Sequence, residues 1–232
     1  VRPINNIVDI TNFVLHELGQ PLHAFDADKI EGGKVIVKKL SGGTPFLCLD
    51  EVERKLHAED LMICDGNEKG MCIAGVFGGL NSGVIDTTTN IFLEAAHFHA
   101  KMTRRTSTRH LLFTDAVKVF EKGSDPNVTL YALKRAALLI QEYGGGEIAS
   151  EVVDIYPTKI EKKEIDIVFN NVNRLIGVEI SPKEVRDIFE AMEIDVVTET
   201  AEGMRVAIPT NKADVLREVD VIEEILRIYG FN

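Results

Sequence analysis

The sequence has few cysteines, no long apolar run and little positive charge. Its three cysteines, Cys48, Cys64 and Cys72, form no Cys-x-x-Cys pair, so we expect reduced thiols in a cytoplasmic protein and no zinc site or disulfide framework. No apolar run approaches the roughly 18 residues that span a membrane, and we expect no membrane association. The chain opens without methionine or a signal peptide, which favours a piece of a longer protein.

Acidic residues outnumber basic ones along the whole chain. The 232 residues include 37 acidic and 26 basic side chains, for a formal net charge of −11. Broad nucleic-acid binding is disfavoured, because phosphate contacts need clustered cations. One segment, which we call the basic strip (residues 101–109), departs from this pattern. It contains Lys101, Arg104, Arg105 and Arg109 and no acidic residue.

A composition of 45% hydrophobic and 27% charged residues indicates a folded protein. Asp125-Pro126 predicts the start of a helix that closes at the glycines after Tyr143. The next stretch, IASEVVDIYPTKIEKKEI, predicts a strand followed by a charged linker. We therefore expect two domains, residues 1–157 and residues 158–232.

The second segment has the pattern of a small α+β module. IDIVF predicts a strand, and SPKEVRDIFEAMEI predicts a helix capped by Ser181 with a capping box to Glu184. DVVTETAEGMRVAIP predicts a hairpin. DVLREVDVIEEILRIYG predicts a last helix, opened by Asp214. Its expected core stripe is Val215, Val219, Ile222, Leu226 and Tyr229.

The first segment mixes helical and strand patterns. KVIVKKL, LMICD and NIFLEAAHF predict strands. An apolar helical run ends at Gly19, and Gln-Pro-Leu-His follows. His23 then stands at the expected junction between a helix and a loop. From the residues alone it is a surface side chain, a core side chain or a working imidazole.

Glu94 is the most unusual charge in a predicted strand. Alternation along IFLEAAHF places Phe92, Glu94, Ala96 and Phe98 on one face. A carboxylate on an apolar face is costly unless it is paired or hydrogen-bonded. Two interpretations remain open: an ion pair with an arginine of the basic strip, or a carboxylate at the base of a pocket that awaits a ligand.

Two further segments can form a turn or the wall of a site. IAGVFGGLNSG contains Gly75 and Gly78 but lacks the signature of a phosphate-binding loop. Its glycines indicate either a tight turn or close approach to a ligand. In RHLLFTDAVKVFEKGSDP, Thr114 or Asp115 is expected to cap a helix, and the small Ala116 leaves room for a ligand.

Acidic side chains recur on the predicted last helix. Asp220, Glu223 and Glu224 stand at i, i+3 and i+4 on the side opposite the expected apolar stripe, and Asp214 precedes them. A solvated acidic face with a Glu223–Arg227 pair is one interpretation. A site for a hard cation is the other.

Five segments together resemble one known family. They are IVDITNFVLHELGQPLHAFDADKI, IAGVFGGLNSGV, FLEAAHF, LLFTDAVKVFEKGSDP and DVLREVDVIEEILRIYGFN. In order and over nearly the whole chain, they look like the β subunit of bacterial-type phenylalanyl-tRNA synthetase. The resemblance implies an α+β fold, with a mixed-sheet B3/B4-type editing domain at 1–157 and a small B5 module at 158–232.

In that family the B3/B4 domain hydrolyses tyrosine wrongly attached to tRNA(Phe). The resemblance implies that His23 and Glu94 are the catalytic positions, with Glu94 accepting a hydrogen bond from the tyrosine hydroxyl. His23 is expected to orient or deprotonate the attacking water. The implied substrate-binding positions are Asn12, Gly78, Thr114 and Ala116.

The resemblance also implies partners and a cofactor. We expect tRNA(Phe), tyrosine as the editing ligand, and an α subunit in an α2β2 tetramer. Mg²⁺ is expected only in the full enzyme, at a site shared with the α subunit. ATP is expected only at the α-subunit active site, and hydrolysis itself needs neither. The implied Mg²⁺ ligands are Asp214, Asp220, Glu223 and Glu224.

One position departs from the family pattern. Phe113 stands before Thr114-Asp115-Ala116, where the family often has histidine. This leaves a non-catalytic scaffold as a second hypothesis. A third is a nucleic-acid-binding module, because B5 domains resemble DNA-binding folds. The excess of acidic residues in 158–232, 16 against 10 basic ones, argues against it.

Overall fold

The computed structural model describes residues 2–230 and divides the chain into two compact units. The first unit is Val1–Ile155 and the second unit is Tyr156–Asn232. The boundary predicted at residue 157 lies close to this division. None of the helices in residues 2–230 is both long and apolar enough to cross a membrane.

The first unit combines helices with short strands. Its helices are α1 (Asn6–Leu18), α2 (Ala100–His110), α3 (Asp115–Phe120) and α4 (Thr129–Gly144). Its strands are β1 (Leu22–Asp26), β2 (Ile36–Lys39), β3 (Pro45–Leu47), β4 (Glu53–Lys55), β5 (Leu61–Cys64), β6 (Gly70–Ile73), β7 (Phe77–Gly78) and β8 (Ile91–Ala95). The strands predicted around β2, β5 and β8 are confirmed, although β8 stops before Ala96.

Antiparallel pairs form all the sheets in the described residues. One sheet has the order β2-β5-β6-β7, and separate ladders join β1 to β8 and β3 to β4. The α+β class is confirmed, but the expected mixed sheet is wrong. The physical reason is the length of the connections. Most of these strands follow one another after short turns, whereas a parallel pair would need a crossover of a dozen or more residues.

Helices α1 and α4 pack together beside the β1–β8 ladder. Asn5 caps α1 through a 2.9 Å bond from Val8 N to its side-chain oxygen, and Gly19 ends the helix at φ +67°. Ile10 and Val14 of α1 are buried against alanines of α4. This packing fixes the end of α1 directly before β1.

Two predictions at the end of the first unit are wrong. Helix α4 begins at Thr129 and not at Pro126, because the Asp125 side chain accepts a hydrogen bond from Asn127 N and forms a local turn. The strand predicted from Ile148 onward does not form. Residues 145–155 are exposed and have no regular secondary structure, and Val153 and Ile155 are about four-fifths exposed.

The second unit has its own sheet and core. Its elements are β9 (Lys163–Val168), α5 (Phe169–Ile176), α6 (Pro182–Ala191), β10 (Asp195–Glu199), β11 (Gly203–Ile208) and α7 (Glu218–Tyr229). The sheet order β10-β11-β9 is antiparallel, which confirms the predicted hairpin. The capping box of Ser181 and Glu184 on α6 is also confirmed. The core lies between this sheet and the helices.

Helix α7 begins later than predicted and buries a different face. The Asp220 carboxylate accepts hydrogen bonds from the backbone of Leu216 and Arg217, so the helix starts at Glu218 and not at Asp214. Val221, Ile222 and Ile225 are buried on α7. Ile222 and the preceding Val215 belong to the core as predicted, whereas Val219 and Tyr229 are about half exposed.

Candidate functional site

A cavity of about 260 Å³ opens in the first unit. This is smaller than the roughly 300–1,000 Å³ that is typical of drug-sized ligand sites, and suits a ligand of the size of one amino acid. All six residues predicted for the editing site line it: Asn12, His23, Gly78, Glu94, Thr114 and Ala116. The rest of the wall is largely apolar. It includes Leu15, Pro21, Leu22, Leu49, Val76, Phe77, Phe98 and Phe120.

The β1–β8 ladder positions the two central polar groups. In this antiparallel pair His23 lies directly opposite Glu94. Directly opposed residues point to the same face of a sheet, with Cβ atoms about 4.5–5.5 Å apart. His23 was expected at a helix–loop junction, but it belongs to a strand. His23 and Glu94 therefore both line the cavity from neighbouring strands.

The carboxyl group of Glu94 has no internal partner. Among residues 2–230, none forms a hydrogen bond or an ion pair with it, and the half-buried side chain borders the cavity. Burial raises the pKa of Glu94 to about 7. The alternative of an ion pair with the basic strip does not occur, since Arg109 instead contacts Asp60.

The imidazole of His23 is held in its neutral form. Burial lowers the pKa of His23 to about 4. Its ring packs edge-on against Phe25, with 4.4 Å between ring centroids. A neutral imidazole presents one nitrogen as donor and the other as acceptor, so it can hold a water or a polar ligand atom.

Glycine is required at two positions of the wall for different reasons. A Cβ at Gly78 would lie 2.8 Å from Leu49 Cδ1 and 3.0 Å from His23 Cε1, so a side chain there would intrude on the cavity. Gly75 has φ +68°, and a Cβ there would meet the Phe98 ring at 2.6 Å. Gly75 therefore makes the predicted turn, whereas Gly78 allows close approach to the cavity.

The remaining predicted positions come from the start of α3 and from one face of α1. Thr114 caps α3 by accepting a hydrogen bond from Val117 N at 3.1 Å, and its hydroxyl donates to Val76 O at 3.0 Å. These bonds tie the start of α3 to the turn before β7 and bring Ala116 to the wall. Asn12 projects from α1, and within the described chain its amide forms no hydrogen bond.

Leu49 is a wall residue that sequence reasoning missed. It lies at the end of the β3–β4 hairpin, which is joined to β7 by the hydrogen bond from Leu49 N to Gly78 O at 3.0 Å. The side chain is 44% exposed and reaches the mouth of the cavity. No local pattern in the sequence indicates this contact, because it depends on pairing between distant segments.

Phe113 does not line the cavity. Its side chain is 66% exposed, and the neighbouring Leu112 is the residue that enters the core. The departure from the family pattern at this position therefore leaves the cavity open.

The four predicted metal ligands do not form a metal site as the chain stands. Glu224 is 7% exposed, not on an open face as predicted, and it pairs with Lys212 and Arg227 at 2.7 Å each. Asp220 pairs with Arg217 and caps α7. No group of three or more His, Cys, Asp or Glu side chains within residues 2–230 is arranged to hold a metal ion.

Two domain families match this chain. The family described as B3/4 domain matches residues 1–145, and the family described as tRNA synthetase B5 domain matches residues 165–231. Together these two matches account for most of the sequence.

Curated relatives carry the name phenylalanine--tRNA ligase beta subunit. The proteins from Bacteroides fragilis (strain YCH46) and Porphyromonas gingivalis (strain ATCC BAA-308 / W83) are 51% and 53% identical to this chain over 232 residues. The protein from Geobacter sulfurreducens is 42% identical over the same length. Each match covers 100% of this chain but only 28% or 29% of the relative. The chain thus spans less than a third of the length of these relatives.

A solved structure has a similar fold. It is the crystal structure of an N-terminal fragment of the phenylalanyl-tRNA synthetase beta-subunit from Pyrococcus horikoshii. The TM-score is 0.50 at 16% sequence identity, and the match covers 97% of this chain and 65% of that chain. At this identity the likeness concerns the fold.

We predict that Glu94 makes the folded chain less stable as the pH rises from about 4.5 to about 7. In this range the unfolded carboxyl group is ionised while the folded one, with its pKa near 7, keeps its proton. The free energy of unfolding of the unmodified chain, relative to Glu94→Gln, should therefore fall by roughly 1–3 kcal/mol across the window. Urea denaturation followed by circular dichroism measures it.

His23 is present in both proteins, so its own titration cancels in this comparison. Direct ¹³C NMR titration of the Glu94 carboxyl group provides a second readout. A difference that stays constant with pH, or a folded pKa near 4.5, would contradict the prediction.

Proposed function

The chain belongs to the B3/4 domain family of phenylalanine–tRNA ligase beta subunits, and from that premise we propose that its first unit hydrolyses tyrosine from mischarged tRNA(Phe). The observation that carries the proposal is the unpartnered carboxyl group of Glu94 on the wall of a largely apolar cavity. An aromatic ring fits such a wall, and the carboxyl group offers an acceptor for a ring hydroxyl.

The proposed selectivity for tyrosine over phenylalanine follows from this acceptor. An apolar pocket discriminates only weakly against one added hydroxyl, by roughly a hundredfold. A site that hydrogen-bonds the hydroxyl reverses the preference, because phenylalanine leaves a buried polar group unpaired at a cost of about 1–3 kcal/mol. Glu94 supplies the hydrogen-bond acceptor, and Gly78 leaves room in the cavity beside His23.

In the proposed reaction, water attacks the ester carbonyl that joins tyrosine to the RNA. The ester bond breaks, and free tyrosine and a 3′-terminal RNA hydroxyl are released. The ester is already activated, so positioning of the water is the main requirement and neither ATP nor a metal ion enters the step. His23 is neutral at pH 7 and accepts a hydrogen bond from the water. With a pKa of about 4 it is a weak base, so orientation is its proposed role.

A scaffold without catalysis is the weaker alternative for the first unit. It was suggested by Phe113, but that side chain faces solvent and leaves the cavity unfilled. The larger assembly is also a proposal. We propose that an α subunit and tRNA(Phe) bind the complete β subunit in the cytoplasm, and that ATP binds only at the α-subunit active site.

We expect Glu94→Ala to weaken tyrosine binding at least about tenfold and to slow deacylation of Tyr-tRNA(Phe), because the hydroxyl loses its acceptor. Glu94→Gln should have a smaller effect, because its amide oxygen still accepts a hydrogen bond. Calorimetry with free tyrosine and a deacylation time course measure the two effects. Glu53→Gln is the matched control, since Glu53 is exposed and makes no ion pair with described residues.

The calorimetric titration with tyrosine can also detect proton release. At about pH 6 the Glu94 carboxyl group is largely protonated, and a hydrogen bond from tyrosine favours its ionised form. Tyrosine binding should release a proton, whereas phenylalanine binding should not. Equal tyrosine affinity in Glu94→Ala and the unmodified chain would refute the role of Glu94.

We expect Ala116→Trp to abolish deacylation of Tyr-tRNA(Phe), because an indole ring at this wall position fills the space needed by the substrate ring. Ala116→Gly serves as the control that keeps the space open. Circular dichroism establishes that both variants fold. A folded Ala116→Trp variant that deacylates at the unmodified rate would show that the substrate does not enter this cavity.

We propose that Mg²⁺ requires the partner subunit, and we expect no firm binding to this chain alone. Asp220 and Glu224 are already engaged by arginine and lysine side chains, and Mg²⁺ demands near-ideal octahedral geometry. Calorimetric titration of the chain with Mg²⁺ measures this. Stoichiometric micromolar binding that Glu223→Gln abolishes would mean that the site is complete without a partner.

A further inference from the structure

The basic strip forms one continuous face of α2. Lys101, Arg104, Arg105 and Thr108 stand at i, i+3, i+4 and i+7, so they share one side of the helix. All four are exposed, and together with Arg109 they line a shallow groove of about 610 Å³. The opposite face is buried and consists of Thr103, Thr106 and Ser107.

Three cations of this face are not neutralised. Within the described residues, Lys101, Arg104 and Arg105 form no ion pair. Most other arginines of the chain do form one. They are Arg54, Arg109, Arg135, Arg186, Arg205, Arg217 and Arg227. In a chain with net charge −11, the groove is therefore a local concentration of free positive charge.

Asp60 holds this helix in place. Its fully buried carboxylate accepts hydrogen bonds from His57 N at 2.8 Å and from the Thr106 hydroxyl at 3.1 Å. It also contacts Arg109, and one carboxylate oxygen lies 2.6 Å from His110 Nε2. Because these bonds anchor the buried face and the C-terminal end of α2, the exposed cations are presented on a rigid support.

The groove lies close to the cavity. Phe98, two residues before α2, and Thr114, four residues after it, both line the cavity. An 11-residue helix is about 16 Å long, so each cation lies within that order of distance from one of these wall residues. A few nucleotides of extended RNA can cover this distance.

We propose that the basic strip binds the phosphodiester backbone of the single-stranded RNA end whose aminoacyl group enters the cavity. The inference rests on the function proposed above and assigns its RNA contact. Lysine and arginine side chains on one face recognise a chain of phosphates without reading its sequence. The acidic remainder of the chain repels the same polyanion, so binding is confined to this groove.

The test measures binding of fluorescently labelled tRNA(Phe) transcript to the whole 232-residue chain between about 50 and 200 mM salt. Arg104→Gln/Arg105→Gln removes two free cations of the groove. Lys34→Gln/Lys134→Gln is the matched control, because both lysines are exposed, form no ion pair with described residues and lie outside the groove. Both double variants change the net charge equally.

The arginine variant should bind at least about tenfold more weakly at low salt. Its slope of log affinity against log salt should be smaller by about 1.4, since each single-strand phosphate contact contributes about 0.7. The control should retain the affinity and slope of the unmodified chain. Free tyrosine should bind all three proteins equally, because none of the altered residues lines the cavity.

Four results would overturn the proposal: equal losses in both double variants, an unchanged slope in the arginine variant, no RNA binding by the unmodified chain at low salt, or a poly-glutamate peptide that binds as tightly as RNA. Failure of the function proposed for the cavity would give a different result from failure of the RNA contact. In that case tyrosine does not bind, while RNA binding still depends on Arg104 and Arg105.

Discussion

The antiparallel pairing of β1 with β8 is the constraint on which the first unit depends. It places His23 opposite Glu94 and points both side chains at one face. The same ladder orders the helices, because α1 leads into β1 and α2 follows β8. A shift of one residue would turn Glu94 away from the cavity. The register of the β1–β8 ladder therefore sets the positions of both the cavity wall and the start of the basic strip.

Two carboxyl groups of the first unit have pKa values shifted in opposite directions. Asp60 is fully buried, but several donors surround it and hold its pKa below the ordinary value despite desolvation. Glu94 has no such donors among residues 2–230, so burial raises its pKa to about 7. Asp60 therefore serves as a permanent anion that anchors α2. Glu94 keeps an unused hydrogen-bonding capacity, which is the property that a ligand can exploit.

Two acidic side chains of the second unit form contacts within the unit. Asp220 completes the first turn of α7, and Glu224 is enclosed between Lys212 and Arg227. Both carboxylates therefore stabilise the unit itself. Any partner that draws on them must replace these internal contacts, and this costs more for the buried Glu224 than for an exposed pair.

The sequence by itself determined the local features of this protein. Gly19, the capping box of Ser181 and the β10–β11 hairpin depend on neighbouring residues, so pattern reading located them. The family likeness selected six of the residues that line the cavity. Tertiary structure alone decided that Glu94 has no partner within the described residues and that Leu49 lines the cavity. It also decided which face of α7 is buried. These outcomes depend on contacts between distant segments, and such contacts leave no periodicity or spacing in the sequence.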